Sequence, residues 1–128
     1  MTTLLVLYRR PDGGAATLAE FERRYIGEHL PLVAGTPGLR STRIRRVTRA
    51  LGGETDLALI AAMHFDDPAS LDAGLASDAM RAAARILREI APGLATFLVL
   101  EDAPEMDRAA TPVVDTVTTT TQGAEEAE

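Results

Sequence analysis

The sequence predicts an α+β fold in which helices cover one face of a four-stranded antiparallel sheet. Three observations predict it. Segments of strand and helix periodicity follow one another in the order strand, helix, strand, strand, helix, strand. Clusters of Gly and Pro separate them. The third strand is apolar on both faces, as expected of a strand buried from both sides. A chain of 128 residues that is 46% hydrophobic is long enough for one core and too short for two ordinary ones, so a single domain is expected.

The first strand is the apolar run from Leu4 to Arg10, which stops at Pro11-Asp12-Gly13-Gly14. From Thr17 the period changes. Leu18, Phe21, Tyr25, His29 and Leu32 recur at spacings of 3, 4, 4 and 3, which puts them on one helical face. Thr17 followed by Glu20 suggests a capping box. Pro31 lacks the N–H that a helix needs, so a distorted last turn is expected over Leu30 to Val33. Leu39 to Arg49 and Asp56 to Phe65 suit two strands joined through Leu51-Gly52-Gly53-Glu54. Asp67 with Pro68 reads as an N-cap and first helical residue; Leu71 and Leu75 continue a short helix. Ser77 or Asp78 caps a second piece, whose stripe is Met80, Ala83, Ala84, Leu87 and Ile90 as far as Pro92-Gly93. Leu94 to Glu101 is the last strand.

This order matches the split βαβ arrangement of ferredoxin-like folds. Two helices cover one sheet face only, yet strands three and four are apolar on both. An apolar sheet face of that size is unusual on a monomer, so a homodimer that covers it is expected. After Glu101 the composition shifts to Ala, Pro, Thr and acids. Residues 102–128 therefore read as an acidic, Thr-rich, flexible tail, with an added edge strand over Pro112 to Thr121 as the alternative.

Composition narrows the chemistry. Without cysteine there is no disulfide, thiolate nucleophile or cysteine-ligated metal, which suits a reduced, cytoplasmic compartment. The short apolar run at the amino terminus does not read as a signal peptide, and no stretch approaches the ~20 apolar residues of a membrane span. The net charge of −6 is concentrated at one end. Seven acids and one base lie from Asp102 onward, which leaves 12 of each in residues 1–101. A neutral core carries no field suited to nucleic acid.

No phosphate-binding glycine loop, nucleophile elbow or His-Glu-x-x-His motif is present, so the two histidines draw attention. His29 shares its helical face with Tyr25, four residues earlier, and points toward the sheet. An imidazole in an apolar pocket can serve as general acid or base near neutral pH. Equally, it can be a core histidine satisfied by Tyr25 or by a backbone carbonyl. His64 closes the third strand beside Asp66 and Asp67, on the parity opposite Met63 and Phe65. A metal site would need both histidines and a carboxylate to converge, or ligands from two subunits; no metal or other cofactor is expected. Arg40, Arg43, Arg45, Arg46 and Arg49 can clamp an anionic substrate, face a nucleic acid or, as the third reading, protect a solvated edge strand. The last is preferred, since Glu20, Glu22, Glu54 and Asp56 are available to pair with them.

Leu4-Leu-Val-Leu-Tyr-Arg-Arg-Pro11, then Phe21-x-x-x-Tyr25-x-x-x-His29-x-Pro31-Leu32, then Gly35-x-x-Gly38 resemble the amino-terminal half of EthD proteins. Phe65-Asp66 to Ser77 resembles a later segment of the same family. The resemblance covers residues 3 to 101, and its most specific element is His29-x-Pro31-Leu32. It implies a dimeric α/β barrel, in which two ferredoxin-like sheets pack face to face. The family takes its name from an ether-degrading oxidation system; related barrels include cofactor-free monooxygenases, isomerases, polyketide cyclases, and dehydratases or decarboxylases. Their shared theme implies a small cyclic, aromatic or polyketide-like substrate, with His29 as the acid/base and Tyr25 as its partner. Phe21, Met63 and His64 complete the candidate ligand contacts. The alternative is a non-catalytic accessory or ligand carrier of an oxidative pathway.

Overall fold

Two adjacent glycines start the first helix. The computed structural model describes residues 1–107, and in it β1 (Thr2–Arg9) is followed by a turn through Gly13 and Gly14, at φ 115° and 83°. These positive values suit residues without a Cβ. Helix α1 (Ala15–Arg24) begins directly from Gly14, and the Leu18 N–H closes on the Gly14 carbonyl at 3.1 Å. The capping box expected at Thr17 is therefore absent, because the glycine turn starts the helix before it. Glu20 pairs instead with Arg23.

The distortion expected at Leu30 to Val33 lies one turn earlier. Tyr25–His29 forms a π-helical turn, in which the Leu30 N–H reaches back five residues to the Tyr25 carbonyl, and a short regular helix α2 (Leu30–Val33) follows. The cause is Pro31. It cannot donate to the carbonyl of Gly27, and its ring crowds that group, so the preceding turn widens. Widening also shifts the buried stripe. Phe21, Tyr25 and His29 are buried as expected, but Val33 rather than Leu32 continues the buried series.

Strands β2 (Ser41–Arg46), β3 (Leu57–Phe65) and β4 (Ala95–Glu101) join β1 in one antiparallel sheet of order β2-β3-β1-β4. Strand β2 is shorter than the sequence suggests, and its pairing with β3 is extended by one residue at each end, by Arg40 N–H to the His64 carbonyl at 2.8 Å and Val47 N–H to the Ala58 carbonyl at 2.9 Å. It occupies an edge. Helices α3 (Pro68–Leu75) and α4 (Asp78–Ile90) have the expected caps: Asp67 accepts from the Ser70 N–H at 2.8 Å, and Ser77 accepts from the Met80 N–H at 3.2 Å. Each cap satisfies a donor that the helix cannot satisfy itself.

One parity of the sheet faces the helices and carries the core: Leu4, Val6 and Tyr8 from β1, with Leu59, Ala61, Met63 and Phe65 from β3. The other parity bears Leu5, Leu7, Ile60, Leu98 and Leu100 and has no helix over it. The chain divides into a main body, residues 1–48 and 56–102, and a second unit of 49–55 with 103 onward, whose described part includes a 3₁₀ turn at Pro104–Met106. Most of the expected tail, with the Pro112–Thr121 alternative, lies outside the described residues. No helix among the described residues is long and apolar enough to cross a membrane.

Gly74 is where α3 meets the core most closely. A Cβ there would lie 2.8 Å from the buried Phe65 ring and 3.0 Å from the Thr36 methyl. Gly74→Ala is expected to destabilise the fold by about 1–3 kcal/mol through overpacking, read as a lower urea midpoint at unchanged slope. An unchanged midpoint would show that Phe65 moves aside freely.

Candidate functional site

Helix α4 rests on the π turn and α2 rather than flat on the sheet. The space left between α4 and the β1–β4 half of the sheet is a cavity of about 540 Å³. Leu4, Val6 and Tyr8 form its floor, joined by Met63 from β3 and by Ala95, Phe97 and Val99 from β4. His29 and Val33 close one side. Helix α4 supplies Met80, Ala84 and Leu87, with Arg81 and Arg88 among its polar contributions. The lining is mostly apolar, and among the described residues no acidic side chain belongs to it. Phe97 and Val99 are 57% and 56% exposed although they face the helix side, because no helix covers β4 there.

His29 is only 3% exposed, and its imidazole is fixed on both sides. Its ring stacks on Tyr25, with centroids 5.0 Å apart and planes 30° from parallel. Its Nδ1 lies 3.0 Å from the backbone carbonyl of Ala83 in α4. A carbonyl can only accept, so Nδ1 carries the proton and Nε2 holds the free lone pair. The approach needs a small residue at position 83, and Ala83 is fully buried. Among the described residues only Thr36 Oγ1 is a fully enclosed side-chain polar atom without a partner; Nε2, which has no protein partner, therefore opens onto the cavity. Burial lowers the His29 pKa from its ordinary value, and the bond to Ala83 offsets this only in part. The neutral base is the form the fold favours.

Tyr8 and Tyr25 make a second polar element. The rings meet edge to face at 5.0 Å, and the Tyr25 hydroxyl donates to the Tyr8 hydroxyl at 3.1 Å. This direction leaves the Tyr8 proton free of the Tyr25 bond, in a residue that belongs to the cavity lining and is fully buried. Burial raises the pKa of both phenols, Tyr25 to about 12. They remain donors at neutral pH. The chemistry available is thus one unprotonated imidazole nitrogen and a buried pair of phenols, with His29 and Tyr8 both among the lining residues of an apolar space.

Of the residues expected to contact a ligand, His29 and Met63 line the cavity, while Tyr25 backs His29 and reaches the cavity through Tyr8. Phe21 is buried behind Tyr8 and Tyr25, with ring centroids at 6.0 and 5.8 Å, and lies outside the lining. His64 is on the opposite sheet face, because Met63 points to the helices and strand parity alternates. There its Nδ1 is 2.9 Å from Thr3 Oγ1. Sequence reasoning missed Tyr8, Arg81 and Arg88. A signal for Tyr8 existed, as the one aromatic at an inward position of β1. Among the arginines in and beside β2, Arg46 pairs with Glu22 of α1 at 2.8 Å and Arg40, just before the strand, pairs with Asp66 at 3.0 Å. Among the described residues no three His, Asp or Glu side chains cluster as metal ligands would.

A family model described as the EthD domain matches residues 14–101, more than half of the chain. Among solved structures, an ethyl tert-butyl ether degradation (EthD) family protein from Bacillus halodurans C-125 aligns with a TM-score of 0.72 at 28% identity, over 80% of this chain and 99% of that one. A dimeric protein with a ferredoxin-like fold from Bacteroides fragilis aligns at 0.59 and 18% identity, over 79% and 95% of the two chains. SnoaB, a cofactor-independent oxygenase from Streptomyces nogalater, aligns at 0.53 and 19%, over 79% and 90%. Comparison with curated proteins finds no match. The fold is ferredoxin-like, and the extent of the family match, on a chain whose sheet order and helix placement agree with it, means that this protein belongs to the EthD family.

Proposed function

We propose that this protein binds a small cyclic, aromatic or polyketide-like molecule in the cavity under α4 and moves a proton on it without a metal or nucleotide. The observation that carries the proposal is His29: buried, neutral, fixed in one tautomer, with Nε2 open to the cavity. In the proposed step Nε2 takes a proton from a carbon beside a carbonyl. The electron pair of that C–H bond moves onto the carbonyl oxygen, giving an enolate and an imidazolium. Tyr8 donates to the enolate oxygen while Tyr25 donates to Tyr8, and the apolar walls strengthen both interactions. Return of the proton to a different carbon completes an isomerisation; return to a departing oxygen completes an elimination. SnoaB, a cofactor-independent oxygenase of the same fold, is in keeping with such chemistry.

Deuterium exchange tests the step directly. Cyclic 1,3-diketones and ring-substituted hydroquinones, incubated in deuterium oxide, should exchange a carbon-bound hydrogen faster with protein than without, as seen by proton NMR. His29→Gln should lower the protein-dependent rate by about 100-fold or more, and Tyr8→Phe by about 10-fold. Exchange unaffected by His29→Gln would overturn the proposal. Saturable binding with no exchange would support the ligand-carrier alternative.

The pH dependence has a defined sign. An unfolded histidine titrates near pH ~6.5, and folded His29 titrates lower. Between those values the unfolded chain binds more protons, so this contribution to stability is complete above pH ~6.5 and is lost as pH falls through the folded value. The thermal midpoint of the wild type should decline over that window, and His29→Gln should lack that increment. The acidic limb of the exchange rate should also lie below the ordinary histidine range; a limb at or above it would contradict the neutral-base assignment.

The proposal includes a homodimer in which a second copy covers Leu5, Leu7, Ile60, Leu98 and Leu100. The last two are 41% and 42% exposed on a sheet face without helices, and one structure of the same fold is described as dimeric. Light scattering should give the mass of two chains. Leu98→Asp should give one chain with helix content retained, and a wild-type monomer at micromolar concentration would refute the dimer.

A further inference from the structure

We propose that the cavity selects an anionic ligand, an apolar ring system bearing a carboxylate, and that Arg88 is the residue that receives the carboxylate. This rests on the cavity assignment above but not on proton transfer. Among the described residues two arginines and no acid belong to the lining, so the charge that this lining presents is positive, and low-dielectric walls strengthen its field. The two arginines are not equivalent. Arg81 is occupied, donating to the Ala76 carbonyl and to Asp78. Arg88, two turns further along α4, has no hydrogen bond or ion pair among the described residues. Its neighbour Glu89 does not neutralise it, since that carboxylate faces Arg24 at 3.9 Å. Glu101 is likewise engaged, accepting from the Thr2 hydroxyl.

A free guanidinium beside an apolar space suits a ligand whose body is apolar and whose one charge is a planar anion. Arginine binds a carboxylate through two parallel N–H···O bonds, which fixes orientation as well as charge. His29 is tied to Ala83, five residues before Arg88 on α4, and both His29 and Arg88 belong to the lining of the same cavity.

Binding can be measured without turnover. 2-Naphthoate and its neutral isostere 2-naphthamide are titrated by fluorescence or calorimetry at pH 7.5 into the wild type, Arg88→Gln and Arg85→Gln. Arg85 lies on the same helix but outside the cavity lining. The wild type should prefer naphthoate over naphthamide by about tenfold, a value reduced from that of a buried charged pair because Arg88 is exposed. Arg88→Gln should remove the preference and leave naphthamide affinity unchanged, and Arg85→Gln should retain it. Equal affinity for the two compounds, loss of preference in Arg85→Gln as well, or absence of naphthoate binding would each overturn the inference. Carboxylate preference that depends on Arg88, in a protein that exchanges no hydrogen, would refute proton transfer and leave this inference standing.

Discussion

The hydrogen bond from His29 Nδ1 to the Ala83 carbonyl ties the π turn to α4, and the arrangement of the site follows from it. It crosses between two helical segments 54 residues apart in sequence and meets a carbonyl inside a continuous helix. That carbonyl has two lone pairs, so it can accept from the imidazole without giving up its helical partner. The same bond decides the tautomer. A bond to a donor would have left the opposite nitrogen protonated and the cavity without a base.

The contact also explains why there is a cavity. Met80, Ala83 and Leu87 direct α4 toward the π turn and α2. Once α4 leans that way, Phe97 and Val99 of β4 have no helix above them. A fold of this size can rarely leave such space without loss of stability, since an empty volume forfeits dispersion contacts. Packing is recovered elsewhere, in the Tyr8, Phe21, Tyr25 and His29 rings, each within 6.0 Å of the next in the stack.

Much of this could be read in the sequence, and each error has its own physical cause. Strand order, the α3 and α4 caps and the buried Phe21, Tyr25 and His29 follow from local chemistry: alternation, a side-chain oxygen before a helix, and 3.6-residue spacing. The α1 start failed because two rules competed for the same segment, and the Gly13-Gly14 turn acted before Thr17 could cap. The Pro31 distortion was foreseen but placed on the wrong side of the proline. Proline disturbs the carbonyl four residues before it, so the irregular turn is Tyr25–His29. His64 and Arg88 were beyond local rules. Which parity of β3 faces the helices is decided by where the helices pack, and that is tertiary information.

The π turn links that proline to function. In a regular α-helix the residues after Gly27 would rotate by about 100° per position, without the additional residue that the wider turn accommodates. The bulge changes the phase between Tyr25, which must reach Tyr8, and Val33, which must pack against α4, while His29 lies between them. Pro31 therefore acts at a distance of two residues: it makes the wide turn the lower-energy backbone, and the wide turn lets His29 bond to Ala83 while its ring still stacks on Tyr25. The His29-x-Pro31 spacing is thus a geometric unit, in which the proline shapes the turn that holds the imidazole between Tyr25 and Ala83.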